Sequence, residues 1–340
     1  MPILSTKEKR ILFDQIKQYT SLTVVTQFLK NLELPYSAGN WPDMFEKRLE
    51  PAVKDSKISK IQLLQLLADA EEFGRQNVFL FRCSKNDASG LVNEPVITGA
   101  LKSLGREDWL SSPPIIEEPG NLTIAQVRFE HGPTSQRSLV IKAVETRTYW
   151  EKIEETRQGK KMFKEYDEQS QRAVTVARLH SDGLLEMRIQ SFERAGDYDT
   201  AISQFWSVLN PLMPKAKFET ESVHKFKNYL IKNRASLSSR IRYAPLLLRS
   251  ETGYTMALGT PDLQHSLFKD KGATEGFEAF NRNDANVENG SFIWMKMANG
   301  KPSKDTHIRI AGKVNQFAVA VSCERADYEF IFDEIRKNNA

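Results

Sequence analysis

The chain has 340 residues, with 48 Lys and Arg against 44 Asp and Glu, 40% apolar residues and two cysteines. That length predicts about two domains; nineteen Phe and five Trp argue against wholesale disorder, and two cysteines exclude a disulfide scaffold or a Cys-rich metal module. No apolar run approaches the ~18 residues of a membrane span, and the opening MPILSTKEKR lacks the apolar core of a secretory signal. The expectation is a soluble intracellular protein, cytoplasmic or nucleoid-associated, or nuclear in a eukaryote.

Residues 1–76 read as a small helical bundle. Thr6 is placed to cap a helix carrying Ile11, Leu12 and Ile16, and Ser21 to cap one carrying Val24, Val25, Phe28, Leu29 and Leu32. Leu34-Pro35 stops the second helix, because the residue before proline is pushed out of the helical region. Pro42 suits the first turn of a third. Ser59 with Gln62 forms a capping box ahead of Ile61, Leu64, Leu67 and Ala68, and Gly74 closes that helix.

From Asn77 the period changes to that of strands, and residues 77–340 are expected to form an α+β domain: an antiparallel or mixed sheet packed with helices. Val78–Phe81 is a short strand and Pro95–Leu104 a helix. Leu122–Glu130 and Ser138–Glu145 make a hairpin around Gly132-Pro133-Thr134-Ser135. The Glu-, Lys- and Gln-rich stretch from Glu151 to Arg172 reads as a solvated helix or long loop. Ala173–His180 and Leu184–Gln190 flank Ser181-Asp182-Gly183, whose Asp-Gly pair is a strong hairpin signal. Helices follow at Asp199–Leu209 and Glu221–Arg234, then a turn-rich segment. Strands are expected at Tyr254–Leu258, Ser291–Met297, Thr306–Ala311 and Phe317–Ser322, and a terminal helix at Ala326–Lys337.

Catalytic signatures are sparse. His131, His180, His224, His265 and His307 stand singly, without metal-ligand spacing. There is no phosphate-binding glycine loop and no G-x-S-x-G elbow, so no cofactor and no metal are expected. Asp182, Glu186 and Arg188 loosely offer the carboxylates and cation of a metal-dependent nuclease, or equally an ion pair on a sheet face. Cys83 and Cys323 end apolar runs and read as buried core thiols.

Charge is the more informative signal. Between Lys215 and Arg249 nine basic residues face only Glu219 and Glu221, a local balance of +7 against +4 for the whole chain. Such a cationic segment is what phosphate-backbone binding requires. On a helix, Val223, Phe226 and Leu230 form the inward stripe, with Lys227 and Arg234 on one flank and Lys225 and Lys232 on the other. Lys215, Lys217, Lys225, Lys227, Lys232, Arg234, Arg240 and Arg242 are therefore the expected nucleic-acid contacts, mainly to phosphates of duplex DNA. Snorkelling lysines on an ordinary amphipathic helix, a protein-partner face and an anionic-lipid surface are the competing readings.

The order of elements resembles kinetochore proteins of the centromere protein N type. The segments that carry the likeness are Leu63–Leu67 with Asn77-Val-Phe-Leu-Phe, Ile124-Ala-Gln-Val-Arg-Phe with Leu139-Val-Ile-Lys, and Thr306-His-Ile-Arg-Ile with Tyr328-Glu-Phe-Ile-Phe. The resemblance implies a pyrin-like bundle and a sheet domain that together present a basic groove to duplex DNA, without catalysis. The sequence thus favours a non-enzymatic nucleic-acid-binding adaptor. A metal-dependent nuclease, and a scaffold that docks other proteins through the bundle, are the alternatives.

Overall fold

A computed structural model of the chain describes residues 4–111, 113–131, 137–192, 197–282, 286–298 and 300–339. It divides into two compact units, Met1–Glu72 with Arg106–Val127 and Lys142–Val174, and Phe73–Gly105 with Arg128–Ile141 and Thr175–Ala340. The division is not a single cut at residue 76, because three strands each run out of one unit and into the other.

The first unit opens with α1 (Thr6–Tyr19), whose cap is Ser5 and not Thr6. Ser5 takes the extended conformation, and Ser5 and Glu8 exchange the two hydrogen bonds of a capping box. Ser21 caps α2 (Leu22–Asn31) as expected. Asn40 caps α3 (Trp41–Met44), which has Pro42 in its first turn and continues through a π turn into α4 (Glu50–Lys54). Ser59 and Gln62 form the anticipated box at the start of α5 (Lys60–Glu71). Leu12, Ile16, Val25, Leu29, Met44, Leu49 and Leu63 are fully buried together. Each contributes on the order of 1.5–3 kcal/mol to holding the bundle closed.

The chain then forms β1 (Gln76–Arg82), α6 (Lys85–Leu91), α7 (Glu94–Ser103), α8 (Asp108–Ser111), β2 (Thr123–His131), β3 (Arg137–Gln158) and β4 (Lys161–His180). The turn expected at Gly132–Ser135 lies outside the described residues. The stretch from Glu151 to Arg172 is neither helix nor loop: it is the far part of the β3–β4 hairpin, joined by Gly159 and Lys160. Gly159 sits at φ +61, a backbone conformation the tight turn needs and glycine adopts without strain. At its root, buried Glu71 of α5 pairs with Lys142 of β3 and Arg172 of β4, and the Tyr19 hydroxyl donates to the Arg172 carbonyl.

The second unit continues with β5 (Leu184–Gln190), α9 (Tyr198–Leu209), β6 (Glu219–Thr220), α10 (His224–Lys232), α11 (Arg234–Leu237), β7 (Ile241–Arg249), β8 (Thr255–Leu258), α12 (Lys271–Asn281), β9 (Asn286–Trp294), β10 (Thr306–Ile310), β11 (Gln316–Val319) and α13 (Arg325–Asn339). The strand order is β2-β3-β4-β5-β1-β11-β10-β9-β7-β8, with β6 against β1. Strand β1 pairs antiparallel with both β5 and β11, so the fold is α+β with an antiparallel sheet.

Strand β7 replaces the expected turn-rich segment. Ile241, Tyr243, Leu246 and Leu248 are buried, and exposed Pro245 sits where the β7–β9 register shifts between Tyr243 and Leu246. Proline is tolerated in a sheet at such an irregularity. The helix expected over Glu221–Arg234 is shorter: it ends at Lys232, and Arg234 opens α11. Val223, Phe226 and Leu230 do face inward, in a core with Trp294, Tyr328 and Phe332. Gly74 does not close a helix. A Cβ there would lie 2.8 Å from the backbone of Ser322 and Cys323, so its role is close approach.

Candidate nucleic-acid interface

The basic residues past position 214 are mostly compensated. Lys217 pairs with Asp87 at 2.8 Å. Arg234 pairs with Glu278 and stacks over Phe268 and Phe277. Arg240 reaches Glu334 at 3.3 Å, and Arg242 binds Asp305 together with the Gln264 amide oxygen at 2.9 Å. Arg249 grips Glu288 through two parallel hydrogen bonds of 3.0 and 2.9 Å. Lys227 is half-buried and donates to the Glu288 carbonyl at 3.2 Å, and burial lowers its pKa. Lys215, Lys225 and Lys232 are exposed, with no carboxylate partner among the described residues. The local balance of +7 is therefore not a bare cationic strip. Counting neighbours in sequence misses carboxylates that folding brings from 39 to 130 positions away.

Two of these residues meet at a cleft of about 340 Å³ in the second unit. Lys232 and Arg234 line it together with Asn228, Asn281, Asn286 and Glu251. Its lining is of mixed character: Glu251 offsets Lys232, Arg234 is already paired with Glu278, and Ile231 and Val287 add apolar wall.

The nuclease reading of Asp182, Glu186 and Arg188 is corrected by their surroundings. Glu186 is 0% exposed. One oxygen accepts from His180 Nε2 at 3.0 Å and from Arg178 at 3.5 Å, the other from the Tyr328 hydroxyl. Arg188 lies 3.9 Å away, its guanidinium over the rings of Phe73 and Tyr328. Burial alone would push the Glu186 pKa up; the Arg188 charge, the His180 hydrogen bond and Arg178 outweigh it and hold the carboxylate ionised. Asp182 is engaged by Arg336 and by the Leu184 N–H. A carboxylate so enclosed presents no open side to a metal ion and no path to a phosphodiester. Among the described residues no group of three or more His, Cys, Asp or Glu could hold an ion.

Folding does assemble one relay that sequence spacing hides: Ser138 Oγ lies 3.3 Å from His180 Nδ1, whose other nitrogen meets Glu186. The connectivity is that of an acyl-transfer triad, but Ser138 is 2% exposed and Glu186 is already neutralised by neighbouring donors. The relay ties β3, β4 and β5 together inside the sheet. Cys83 and Cys323 are buried free thiols, and burial pushes Cys323 up to about 12.

The cationic surface that composition did not single out is the tip of the β3–β4 ribbon. From Thr156 to Lys164 the sequence holds Arg157, Lys160, Lys161 and Lys164 and no carboxylate. All nine residues are exposed. The Arg157 Nε donates to the Gly159 carbonyl at 3.2 Å, steadying the turn, and Lys164 stands 3.9 Å from Glu155. An exposed pair at that distance is worth no more than about 1 kcal/mol and yields readily to a phosphate. Met162 and Phe163 sit among the cations with 57% and 51% of their surfaces exposed. Nearer the root, Trp150, Ile153 and Tyr166 are also exposed. The signal in the sequence was a glycine between two runs of alternating character, Arg157-Gln-Gly159-Lys; counted over the whole stretch from Glu151 to Arg172, the charges nearly cancel and the tip disappears.

No helix among the described residues is long and apolar enough to cross a membrane. No protein-family model and no curated protein matches the chain.

Proposed function

We propose that the protein is a non-enzymatic nucleic-acid-binding adaptor of the cell interior that grips the phosphate backbone with the tip of its β3–β4 ribbon. The observation that carries this reading is the exposed run from Thr156 to Lys164, four cations with no carboxylate within the run, of which Lys164 approaches Glu155 at 3.9 Å. Lys215, Lys225 and Lys232 belong to the second unit and are not among the contacts of the tip. The resemblance of the element order to the centromere protein N type would imply the same class of ligand.

Four phosphate contacts give log affinity against log salt a slope of about −3.6, so duplex affinity should fall ~150-fold between about 50 and 200 mM salt. The test is fluorescence anisotropy with a labelled duplex. The wild type should show that slope, and the Arg157→Ala/Lys160→Ala/Lys161→Ala/Lys164→Ala variant should lose most of both affinity and slope. Equal binding by the two proteins would remove the tip as the site.

The exposed Trp150, Ile153 and Tyr166 favour a second reading, in which the shaft of the ribbon docks another protein. Loss of a co-purifying protein on Trp150→Ser/Ile153→Ser, with nucleic-acid affinity unchanged, would support it.

A further inference from the structure

Resting on that reading, we infer that the ribbon tip enters the major groove of B-form DNA and sets one of its faces against each phosphate wall. The argument is the distribution of its side chains. With Gly159 and Lys160 as the two-residue turn, a regular hairpin sets Gln158 opposite Lys161, Arg157 opposite Met162 and Thr156 opposite Phe163, in keeping with the 3.9 Å approach of Lys164 to Glu155. Residues directly opposite share a face. One face therefore carries Arg157, Lys164 and Met162; the other carries Lys161 and Phe163; Lys160 stands at the turn.

A flat anionic surface, such as a bilayer, can neutralise the cations of only one face of a ribbon. A two-walled groove meets both. The B-form major groove, about 12 Å wide, admits a two-stranded β-ribbon. The deep, narrow major groove of A-form RNA excludes such an element, and a single strand offers only one wall.

The experiment measures affinity of the full chain for a duplex DNA, the RNA duplex of the same sequence, the single strand, a duplex whose major groove is filled by glucosylated hydroxymethylcytosine, and phosphatidylserine vesicles. Insertion predicts that the plain duplex binds at least about tenfold tighter than the RNA duplex or the glucosylated one. It also predicts that Arg157→Ala/Lys164→Ala and Lys161→Ala, altering opposite faces, each weaken duplex binding several-fold. All the altered side chains are exposed, and unchanged circular dichroism melts verify the fold. Equal affinity for plain, glucosylated and RNA duplexes, or dependence on one face only, overturns insertion and leaves nucleic-acid binding standing. Binding to none of the nucleic acids removes both readings, and tip-dependent binding to vesicles alone assigns the ribbon to a membrane surface instead.

Discussion

Replacing Glu186 by glutamine tests whether the buried carboxylate is a structural keystone, as its surroundings imply. The substitution keeps the shape and removes the charge. Glu186 accepts from His180 and Arg178 on one oxygen and from Tyr328 on the other. A glutamine keeps one oxygen and turns an N–H₂ toward the remaining donors, while Arg188 and Arg178 lose a neutralising partner. Breaking a buried pair on one side costs about 3–5 kcal/mol. The assay is urea denaturation followed by circular dichroism, for Glu186→Gln, Tyr328→Phe and the double variant. Because Tyr328 donates to the altered group, Tyr328→Phe should cost less when combined with Glu186→Gln than it does alone. A pH series adds a second readout. The folded-state pKa of Glu186 is held below its ordinary value of 4.5, so its contribution is full above that value and is lost as pH falls below it. The wild type should lose stability on acidification more steeply than Glu186→Gln. A loss under about 1 kcal/mol, or strict additivity of the two substitutions, would refute the reasoning.

Two further outcomes follow from backbone and burial. Gly183→Ala should destabilise by about 2–4 kcal/mol, combining strain at positive φ with overlap: Gly183 sits at φ +93 and its new Cβ would lie 2.3 Å from the Cys83 carbonyl oxygen. Gly253→Ala, at φ +91 with open space around it, should cost only the strain; equal losses in chemical denaturation would contradict this. Burial raises both thiols, Cys323 to about 12, so Ellman's reagent at pH 8 should label neither until denaturant is added. Rapid labelling of the native protein would show that the thiols are accessible.

The helices of the first unit were legible because their information is local. Ser21, Pro42 and the Ser59–Gln62 box act within one turn of themselves, and even the Ser5-for-Thr6 shift is a one-residue matter. Asp182-Gly183 announced its hairpin for the same reason. Strand β7 was hidden by Pro245, which reads as a turn until β9 supplies a partner that accommodates the irregularity. The ribbon was hidden by its Glu and Lys, which read as solvation because both of its faces are wet. The chemistry of Glu186 was illegible: Arg178 is eight residues away and Tyr328 142, and only folding makes the group a saturated buried anion. The same remoteness concealed that Glu278, Glu334 and Asp305 answer the arginines past position 214.

The ribbon is charged differently along its length. Behind the cationic end, Glu151 and Glu154 on β3 and Glu165, Asp167 and Glu168 on β4 form an acidic collar, while Glu155, level with Lys164, is paired with Lys152 and Lys164. At about 3.3 Å per residue the collar begins ~16 Å from the turn, beyond the ~8.5 Å depth of a major groove. On the proposed reading, a polyanion moving up the ribbon is drawn in over that first stretch and repelled past it, so the ribbon would carry its own depth stop and leave its aromatic shaft uncovered while the end is occupied.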